Sequence, residues 1–567
     1  MRVREHVGLL AVGCAAVLAL AGCMGIPTSG PVEGGDVVVP EPENAIPIPS
    51  GPTKGMSAEG IVNGFLAAAA AGVYDDFETA KTFLTASAAQ KWRPEAATTL
   101  YLTQDPAVTV TEEDRSASVT VEPVATVDDA GRYTEEAEGA SLQLALTIAQ
   151  VGGEWRISRV PDGVLMSLNS FQGAHRPVRV YFASPDGRQL VPEQRWFLAS
   201  RLVPEAAKAL VDGPSPWLRD GVTTGVPDGV RLLYSGVTLE DTALTVGLAS
   251  DIGAAPDVAQ RNLLQAQLDA TMASTNTGVT DIKVTINDSP WETSGVPDLV
   301  VDPAPKGGPY VLTHDEAGTV VLAEVSDGKV VPVADAAPLA GLVPSSPAVS
   351  QDGTVRVVLD AGRRLVLVPP DAGEPRVLLE GQSLLAPSVD RFDWAWTGER
   401  TSAGTLTAVS PDGERVDVGA AWLADRQVRS VRVARDGARA AVAYQNADGR
   451  SVVEVAAVVR DAKGRPQRLS DDRLVVGASL SDVTEVSWLD ETSLAVLGVG
   501  SMGPGASAYV VPLGGPTEGK AAQPGVVNIA AMPDRLYVAD EDGVLLRFQL
   551  NTWAEVADDV RDPAFAG

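Results

Sequence analysis

After the first fifty or so residues, the spacing of hydrophobic residues is at first helical and then strictly alternating. One helix face is indicated by Ile61, Phe65, Leu66 and Ala69, with Ser57 as the N-cap. A second helix is indicated by Phe77, Ala80, Phe83 and Leu84. Alternation follows at Val108 and Val110, Val119 and Val121, and Leu142, Leu144, Leu146 and Ile148. Helices followed by a curved antiparallel sheet predict an α+β domain over residues 55–170.

The next block, residues 171–298, mixes both periodicities. Residues 176–197 are typical of a strand, a Ser-Pro-Asp-Gly turn and a second strand. A helix over Pro204–Val211 should stop at Gly213-Pro214, since proline cannot continue a helix. Two strands around Leu239–Asp241, a long helix over 257–274 and a strand over 280–287 complete a second α+β domain.

The remainder, residues 299–567, repeats one pattern of short strands. Loosely similar copies begin near residues 346, 388, 428, 483 and 526, and a further one is expected over 309–340. A period of about 42 residues built only of strands is typical of a β-propeller. We therefore predict an all-β propeller of about six blades, with five or seven as alternatives.

Four Asp-Gly pairs lie between alternating segments of the propeller, at 352–353, 412–413, 436–437 and 542–543. Asp-Gly is a preferred two-residue hairpin turn. Calcium binding is the less favoured interpretation of these pairs.

The start of the chain has the pattern of an export signal. Arg2 and Arg4 precede an uncharged apolar run from Gly8 to Leu20, which is too short to span a bilayer as a mature helix. Leu20-Ala21-Gly22-Cys23 resembles the bacterial lipobox, which implies cleavage after Gly22 and a diacylglycerol thioether on Cys23. Residues 1–22 are then a lipoprotein signal peptide, and the Pro/Gly-rich residues 23–54 a tether. The alternative is an ordinary secreted protein with a stray cysteine.

Charge and cysteine usage exclude several classes of site. The chain has 44 Lys and Arg against 74 Asp and Glu, a net charge of −30, so a nucleic-acid partner is not expected. The cysteines are Cys14, inside the apolar run, and Cys23. After cleavage a single, lipidated cysteine would remain, which excludes an internal disulfide and a Cys-based zinc site.

Candidate catalytic groups are sparse. Beyond the signal the histidines are His175 and His314, and neither accompanies a G-x-S-x-G motif. The acidic clusters at 112–114 and 540–542 are typical of solvated turns, and Trp394, Trp396 and Trp488 recur where propeller blades pack. We predict no catalytic residue, no cofactor and no metal site, hence a protein that is not an enzyme.

Family resemblances extend this interpretation. The first block is similar to the cone-shaped NTF2-like fold. The second resembles the GerMN domain of spore-germination and envelope proteins, through Val180-Tyr181-Phe182, Leu210–Ser215, Val226–Gly229, Gln265 and Gln267. Lipobox, tether, these two domains and a propeller, in that order, resemble the LpqB family of actinobacterial lipoproteins.

That resemblance implies a function. Lipoproteins of this family act as accessory partners of a membrane sensor histidine kinase, in the MtrAB two-component system, and influence cell-envelope homeostasis and division. The implied location is the extracytoplasmic face of the cell membrane, held by the Cys23 lipid, and the implied partner is the extracytoplasmic domain of the kinase. Two alternatives stay open: binding of cell-wall glycan, and an envelope hydrolase that uses carboxylates.

Overall fold

Helices and strands alternate up to Ser289–Pro290, and strands follow almost alone from Tyr310 onward. The computed structural model describes residues 50–102, 106–250, 257–370 and 373–567 of the chain. The predicted signal peptide, Cys23 and tether residues 23–49 lie outside the described residues. Along the described ranges, no helix combines the length and apolar content that crossing a bilayer requires.

The N-terminal domain combines helices with two four-stranded sheets. The helices are α1 (Ala58–Ala70), α2 (Glu78–Lys81), α3 (Ala86–Lys91) and α4 (Leu168–Ala174). The strands are β1 (Ala97–Tyr101), β2 (Ala107–Thr111), β3 (Ser116–Val121), β4 (Pro123–Asp128), β5 (Tyr133–Glu135), β6 (Leu142–Val151), β7 (Glu154–Arg159) and β8 (Val164–Ser167). The sheet orders are β5-β4-β1-β8, in which β1 and β8 are parallel, and β2-β3-β6-β7.

Helix α1 begins as predicted, because the Ser57 hydroxyl accepts the Gly60 N–H. The predicted second helix is wrong in extent, since only α2 is helical there. The reason is competition from a strand. Phe83 O and Thr85 N both bond to the backbone of Ile157 in β7, so this segment joins the sheet edge instead of continuing the helix. The single antiparallel sheet is also a wrong expectation, because β1 pairs in parallel with β8 in a second sheet.

The middle domain closely follows the predicted order. Its helices are α5 (Leu202–Asp212), α6 (Pro216–Arg219) and α7 (Val258–Ser274), and its strands are β9 (His175–Ala183), β10 (Leu190–Leu198), β11 (Val230–Glu240), β12 (Ala243–Ser250), β13 (Asp281–Ile286) and β14 (Ser289–Pro290). β9 and β10 form a hairpin, and the other strands form a sheet in the order β11-β12-β13-β14. Asp257 and Gln260 close α7 with a capping box.

The described part of the C-terminal domain consists of six four-stranded antiparallel units, here called blades 1 to 6, and the outer strands of blades 3 and 4 are joined by one parallel pair, Gly419 with Arg468. Blade 1 has β15 (Tyr310–His314), β16 (Val320–Ser326), β17 (Lys329–Pro332) and the last strand, β38 (Arg561–Ala564). Blade 2 has β18 (Pro344–Val349), β19 (Arg356–Asp360), β20 (Arg364–Leu367) and β21 (Arg376–Glu380). Blade 3 has β22 (Ser388–Val389), β23 (Ala395–Thr397), β24 (Thr405–Val409) and β25 (Arg415–Gly419).

The remaining blades follow in chain order. Blade 4 has β26 (Gln427–Val433), β27 (Arg439–Gln445), β28 (Ser451–Arg460) and β29 (Pro466–Val476). Blade 5 has β30 (Ser481–Asp490), β31 (Ser493–Gly500), β32 (Gly503–Pro512) and β33 (Glu518–Gly519). Blade 6 has β34 (Val526–Met532), β35 (Arg535–Asp540), β36 (Leu545–Gln549) and β37 (Thr552–Ala557).

The innermost strands of successive blades contact one another and close into a ring through β38. Side chains join neighbouring members of this ring. The Ser388 hydroxyl accepts the Val433 N–H at 3.1 Å, and the Ser487 hydroxyl accepts the Ala531 N–H at 3.1 Å. These bonds satisfy backbone donors that face no neighbouring strand of their own sheet. The C-terminal domain is thus a closed propeller whose first blade is completed by the last strand of the chain.

The Asp-Gly pairs lie in strand connections, as predicted, but the two-residue turn is wrong. At Asp352-Gly353 the Ser350 N–H bonds to Val355 O, which leaves residues 351–354 as a four-residue loop. Only the glycine has a positive φ, of 78°, whereas a type I′ turn needs two such residues. The Asp352 carboxylate instead accepts the Thr354 N–H at 3.0 Å and so stabilises the conformation of the loop.

Candidate functional site at the domain junction

The two histidines singled out in the sequence lie in packing and surface positions. His175 is buried, its ring stacked on Phe171 at 4.3 Å and its Nδ1 3.2 Å from Phe171 O. Burial lowers the pKa of His175 to about 4, so this imidazole is neutral at neutral pH. His314 is exposed, with Nδ1 3.0 Å from the Asp559 carboxylate.

The tryptophans support the packing interpretation. Trp396 is fully buried and donates its indole N–H to Asp390 at 2.7 Å. Trp488 is also buried, donates to Arg432 O on the neighbouring blade at 3.0 Å, and lies 5.0 Å below the Arg439 guanidinium. Trp394 is buried with them. These indoles therefore hold blades together and do not form an open binding face.

The Leu210–Ser215 motif of the middle domain surrounds a buried ion pair that the sequence analysis missed. Arg195 lies 2.9 Å from the Glu193 carboxylate, and both side chains are almost fully buried. The same guanidinium donates to Gly213 O at 2.9 Å, and Glu193 accepts the Ser215 N–H at 3.1 Å. The motif is thus explained by the way in which the end of α5 is fixed to β10.

Gln267 connects Tyr181 of the first motif segment to Gly225, which directly precedes the Val226–Gly229 segment. From α7 its amide accepts the Gly225 N–H at 2.7 Å and donates to Tyr181 O at 3.0 Å. Gly225 must be small, because a Cβ there would lie 2.2 Å from the backbone nitrogen of Leu264 in α7. Tyr181, Leu210–Ser215 and Gln267 of the GerMN-like motifs therefore have structural roles. Gln265, by contrast, donates from its side-chain amide to Asp269 on the same helix at 2.8 Å.

The middle domain is joined to blade 4 by a buried cation. Arg439 is fully buried, its Nε lies 2.9 Å from the Asp436 carboxylate, and its Nη1 lies 3.4 Å from Pro192 O in β10. Apolar side chains continue across the same junction, so that Phe182 and Leu210 share one core with Val455 and Trp488. Burial of a paired charge inside a continuous core fixes the two domains in one orientation.

A second cation cluster lies at the tip of the β9–β10 hairpin. Arg391 reaches Asp186 on that tip at 2.8 Å. Two guanidinium groups contact the Phe392 ring, that of Arg391 at 4.1 Å and that of Arg460 at 4.4 Å from its centroid. Arg460 is in turn paired with the buried Asp390 at 2.6 Å. The propeller surface that receives the hairpin is thus preformed by stacked cations.

Blade 5 and the N-terminal domain complete the junction. The Tyr181 hydroxyl donates to Glu491 at 2.6 Å, and burial raises the pKa of both groups. From the N-terminal domain, Glu135 accepts the hydroxyls of Thr517 at 2.8 Å and Ser479 at 3.1 Å. All three domains therefore meet on blades 4 and 5.

The long spacing between the repeats at 428 and 483 has its explanation here. The β28–β29 hairpin is the longest of the propeller, and it contacts α6 of the middle domain. The Ser470 hydroxyl on β29 donates to Trp217 O, and Arg468 pairs with Asp220 at 2.7 Å. The extra length of this repeat is the part that binds the neighbouring domain.

Two open clefts on the described surface are large enough for a small ligand. One, of about 560 Å³, lies on the propeller beside the segment that enters blade 1, and is lined by Ala304, Lys306, Tyr310, Gln351, Asp352, Gly353, Arg391, Asp393 and Ala566. The other, of about 840 Å³, lies on the N-terminal domain between α3 and strands β6 and β7. The acidic clusters at 112–114 and 540–542 lie in exposed turns or at a strand end. Within the described residues, no group of three or more His, Cys, Asp or Glu side chains is placed to hold a metal ion.

Three family models match successive parts of the chain. The model described as "Lipoprotein LpqB, N-terminal domain" matches residues 51–172, and "Lipoprotein LpqB beta-propeller domain" matches residues 319–566. Between them, a model described as "Sporulation and spore germination" matches residues 179–292. The two LpqB models together match most of the chain.

Relatives over nearly the full length carry the same name. A protein of Cutibacterium acnes named "Lipoprotein LpqB" is 28% identical and covers 95% of this chain and 95% of its own length. Proteins of the same name from Thermobifida fusca and Mycobacterium bovis are 27% and 28% identical, over 90% and 93% of this chain and 90% and 92% of their own. These names are those of lipoproteins and not of enzymes. The chain, with its α+β N-terminal domain, spore-germination-type middle domain and β-propeller, belongs to the LpqB family of actinobacterial envelope lipoproteins.

Proposed function

We propose that this lipoprotein is anchored by a lipid on Cys23 at the extracytoplasmic face of the membrane. There it acts as an accessory partner of a sensor histidine kinase of the MtrAB type. The partner surface is the extracytoplasmic domain of the kinase, and the process served is envelope homeostasis and division. The chain acts by contact and not by catalysis.

The observation that supports this proposal best is the junction. Arg439, buried between Asp436 and the backbone of β10, fixes the middle domain on the propeller, and Glu135 adds the N-terminal domain. Surfaces on three domains therefore keep one mutual spacing. A partner that touches two of them does not have to order the chain first, which lowers the free-energy cost of binding.

A lipid anchor would add to this effect. Confinement to the membrane raises the effective concentration of the lipoprotein near a membrane receptor, as in multivalent binding. Such a partner can shift signalling only if it binds one state of the kinase more tightly than the other. In this proposal the lipoprotein regulates the kinase because one surface of it has different affinities for the two states of the kinase.

The test is crosslinking in actinobacterial cells that express the full-length chain with a C-terminal affinity tag. After mild crosslinking and solubilisation, we expect the sensor kinase to copurify with the parent chain. The matched variant Cys23→Ser should recover several-fold less kinase at equal expression, because it lacks the anchor. If the parent chain and Cys23→Ser recovered other membrane proteins equally, and neither recovered the kinase, the partnership would be refuted.

Cell-wall glycan is the second candidate ligand, favoured by the chemistry of the propeller cleft. Tyr310, Gln351, Asp352 and Asp393 offer a phenol, an amide and carboxylates, the groups that bond sugar hydroxyls. This candidate predicts sedimentation of the full-length protein with purified cell wall, reduced by Asp393→Ala. If the protein copurified with the kinase but did not sediment with purified cell wall, glycan binding would be excluded.

A further inference from the structure

The cleft on the N-terminal domain carries positive charge in a strongly acidic protein. Helix α3 supplies Lys91 to its wall, and β7 supplies Arg159. Within the described ranges, neither side chain forms an ion pair or a side-chain hydrogen bond. Two cations without such partners thus face one cleft in a chain of net charge −30.

The carboxylate in the cleft does not neutralise them. Asp162 is the single acidic residue among those that line the cleft. It is occupied by Arg93, which reaches it with Nε at 2.9 Å, with Nη2 at 2.7 Å and with its backbone N–H at 2.9 Å. Lys91 and Arg159 thus leave the cleft with a net positive charge.

Beside the cations the lining of the cleft is mixed. Leu144, Val160 and Pro161 form its apolar part, and polar side chains are supplied by Ser87, Gln143, Thr147 and Ser158. The three apolar residues also line a smaller cavity of about 50 Å³ in the same domain. Phe65 and Leu146 line the inner end of that cavity. The volume of the cleft, about 840 Å³, lies in the range of about 300–1,000 Å³ that small-molecule sites occupy.

The cleft also has a rigid base. The Trp92 indole N–H donates to Gly163 O at 3.2 Å, and the Gly163 N–H donates to Arg93 O at 2.9 Å. These bonds join the end of α3 to the 161–163 segment across the cleft. A site that is formed before its ligand arrives loses less free energy on binding.

From these observations we infer that the N-terminal domain binds an anionic amphiphile. A phosphate-type head group lies between Lys91 and Arg159, and a short apolar part contacts Leu144 and Val160. The ligand class is that of a phosphorylated lipid or a shorter phosphate ester with an apolar substituent. This inference is independent of the kinase partnership.

The experiment is calorimetric titration of the full-length protein held in nanodiscs of phosphatidylcholine. The probes are octyl phosphate, inorganic phosphate and octyl glucoside, which separate head group from tail. The cleft variant is Lys91→Gln/Arg159→Gln. The matched control is Lys54→Gln/Arg115→Gln, which removes the same charge at two exposed positions outside the cleft. Empty nanodiscs provide the baseline for partition of each probe into lipid.

We expect saturable binding of octyl phosphate to the parent and the control, and binding weaker by about tenfold or more in the cleft variant. Inorganic phosphate should bind more weakly than octyl phosphate, and octyl glucoside should show only partition into lipid. Equal binding of octyl phosphate by cleft and control variants would overturn the inference. So would tighter binding of octyl glucoside than of octyl phosphate, or equal binding of the two phosphates.

Discussion

The junction and the N-terminal cleft use positive charge in opposite ways. At the junction Arg439 and Arg460 are buried, and each is paired with a buried carboxylate, Asp436 or Asp390. In the cleft Lys91 and Arg159 are exposed and, among the described residues, without such a partner. Paired and buried cations hold domains together, whereas open cations cost little stability and are free to meet a ligand. Substitutions on the two sides should therefore have very different effects.

The largest effect is expected from Arg439→Ala. The change leaves Asp436 buried without its cation and removes the stacking over Trp488. We expect a loss of about 3–5 kcal/mol in the free energy of unfolding, measured by chemical denaturation. Arg415→Ala is the control, because Arg415 pairs with Asp417 on the surface and should cost less than about 1 kcal/mol. Similar losses for both would show that the junction pair is not special.

The next effect concerns pH, at the joint between the N-terminal and middle domains. The folded chain keeps His175 neutral, with a pKa of about 4 against an ordinary value of 6.5. Between these values the unfolded chain binds the extra proton, so stability is full above pH 6.5 and falls as the pH drops towards 4. The total loss is up to about 3 kcal/mol.

Denaturation of the parent and of His175→Gln at pH 7.5 and pH 4.5 checks this expectation. The variant should lose less stability than the parent over that interval, because it lacks the titrating imidazole. An identical pH dependence of the two proteins would contradict the depressed pKa.

A smaller effect is expected at the hairpin tip. Arg391 and Asp186 are only partly exposed, so a double-mutant cycle of Arg391→Ala and Asp186→Ala should give a coupling of about 1 kcal/mol. Arg391→Ala should also expose the Phe392 ring on one side. A coupling of zero would mean that the tip does not contribute to domain docking.

The smallest effect is expected in the cleft. Lys91→Gln/Arg159→Gln removes no ion pair within the described residues, so the free energy of unfolding should change by less than about 0.5 kcal/mol. Thermal unfolding without added ligand measures it. A loss of 2 kcal/mol or more, on the order of a buried-group effect, would place these cations with the structural charges and remove the contrast.

Local patterns predicted the elements of the chain well where packing agreed with them. Ser57, Asp257 and Gly213 mark helix ends as expected, and the repeats of the C-terminal domain begin at its innermost strands. The prediction of a helix through Phe83 was wrong, because the backbone there forms hydrogen bonds with Ile157, about 70 residues later in the chain. Pairing between segments so far apart in the chain cannot be predicted from the spacing of hydrophobic residues.

The junction could not be predicted for a similar reason. Asp436 belongs to one of the four Asp-Gly pairs, and Arg439 follows it three residues later, so this loop resembles the other loops of the propeller in sequence. Nothing in the spacing shows that this loop meets Pro192, more than two hundred residues earlier. One signal was present: the long step between the repeats at 428 and 483 marks the blade that binds the middle domain.

The proposed role depends on outward surfaces, and these can be tested directly in cells. A photoreactive amino acid placed at Tyr234, Val343 or Leu550, all well exposed, samples the middle domain and two parts of the propeller on the full-length, anchored chain. We expect at least one position to crosslink to the extracytoplasmic domain of the sensor kinase, and the same position to lose that product in Cys23→Ser. Crosslinks to cell-wall material alone, or none to the kinase from any of these three positions, would contradict the proposed partnership.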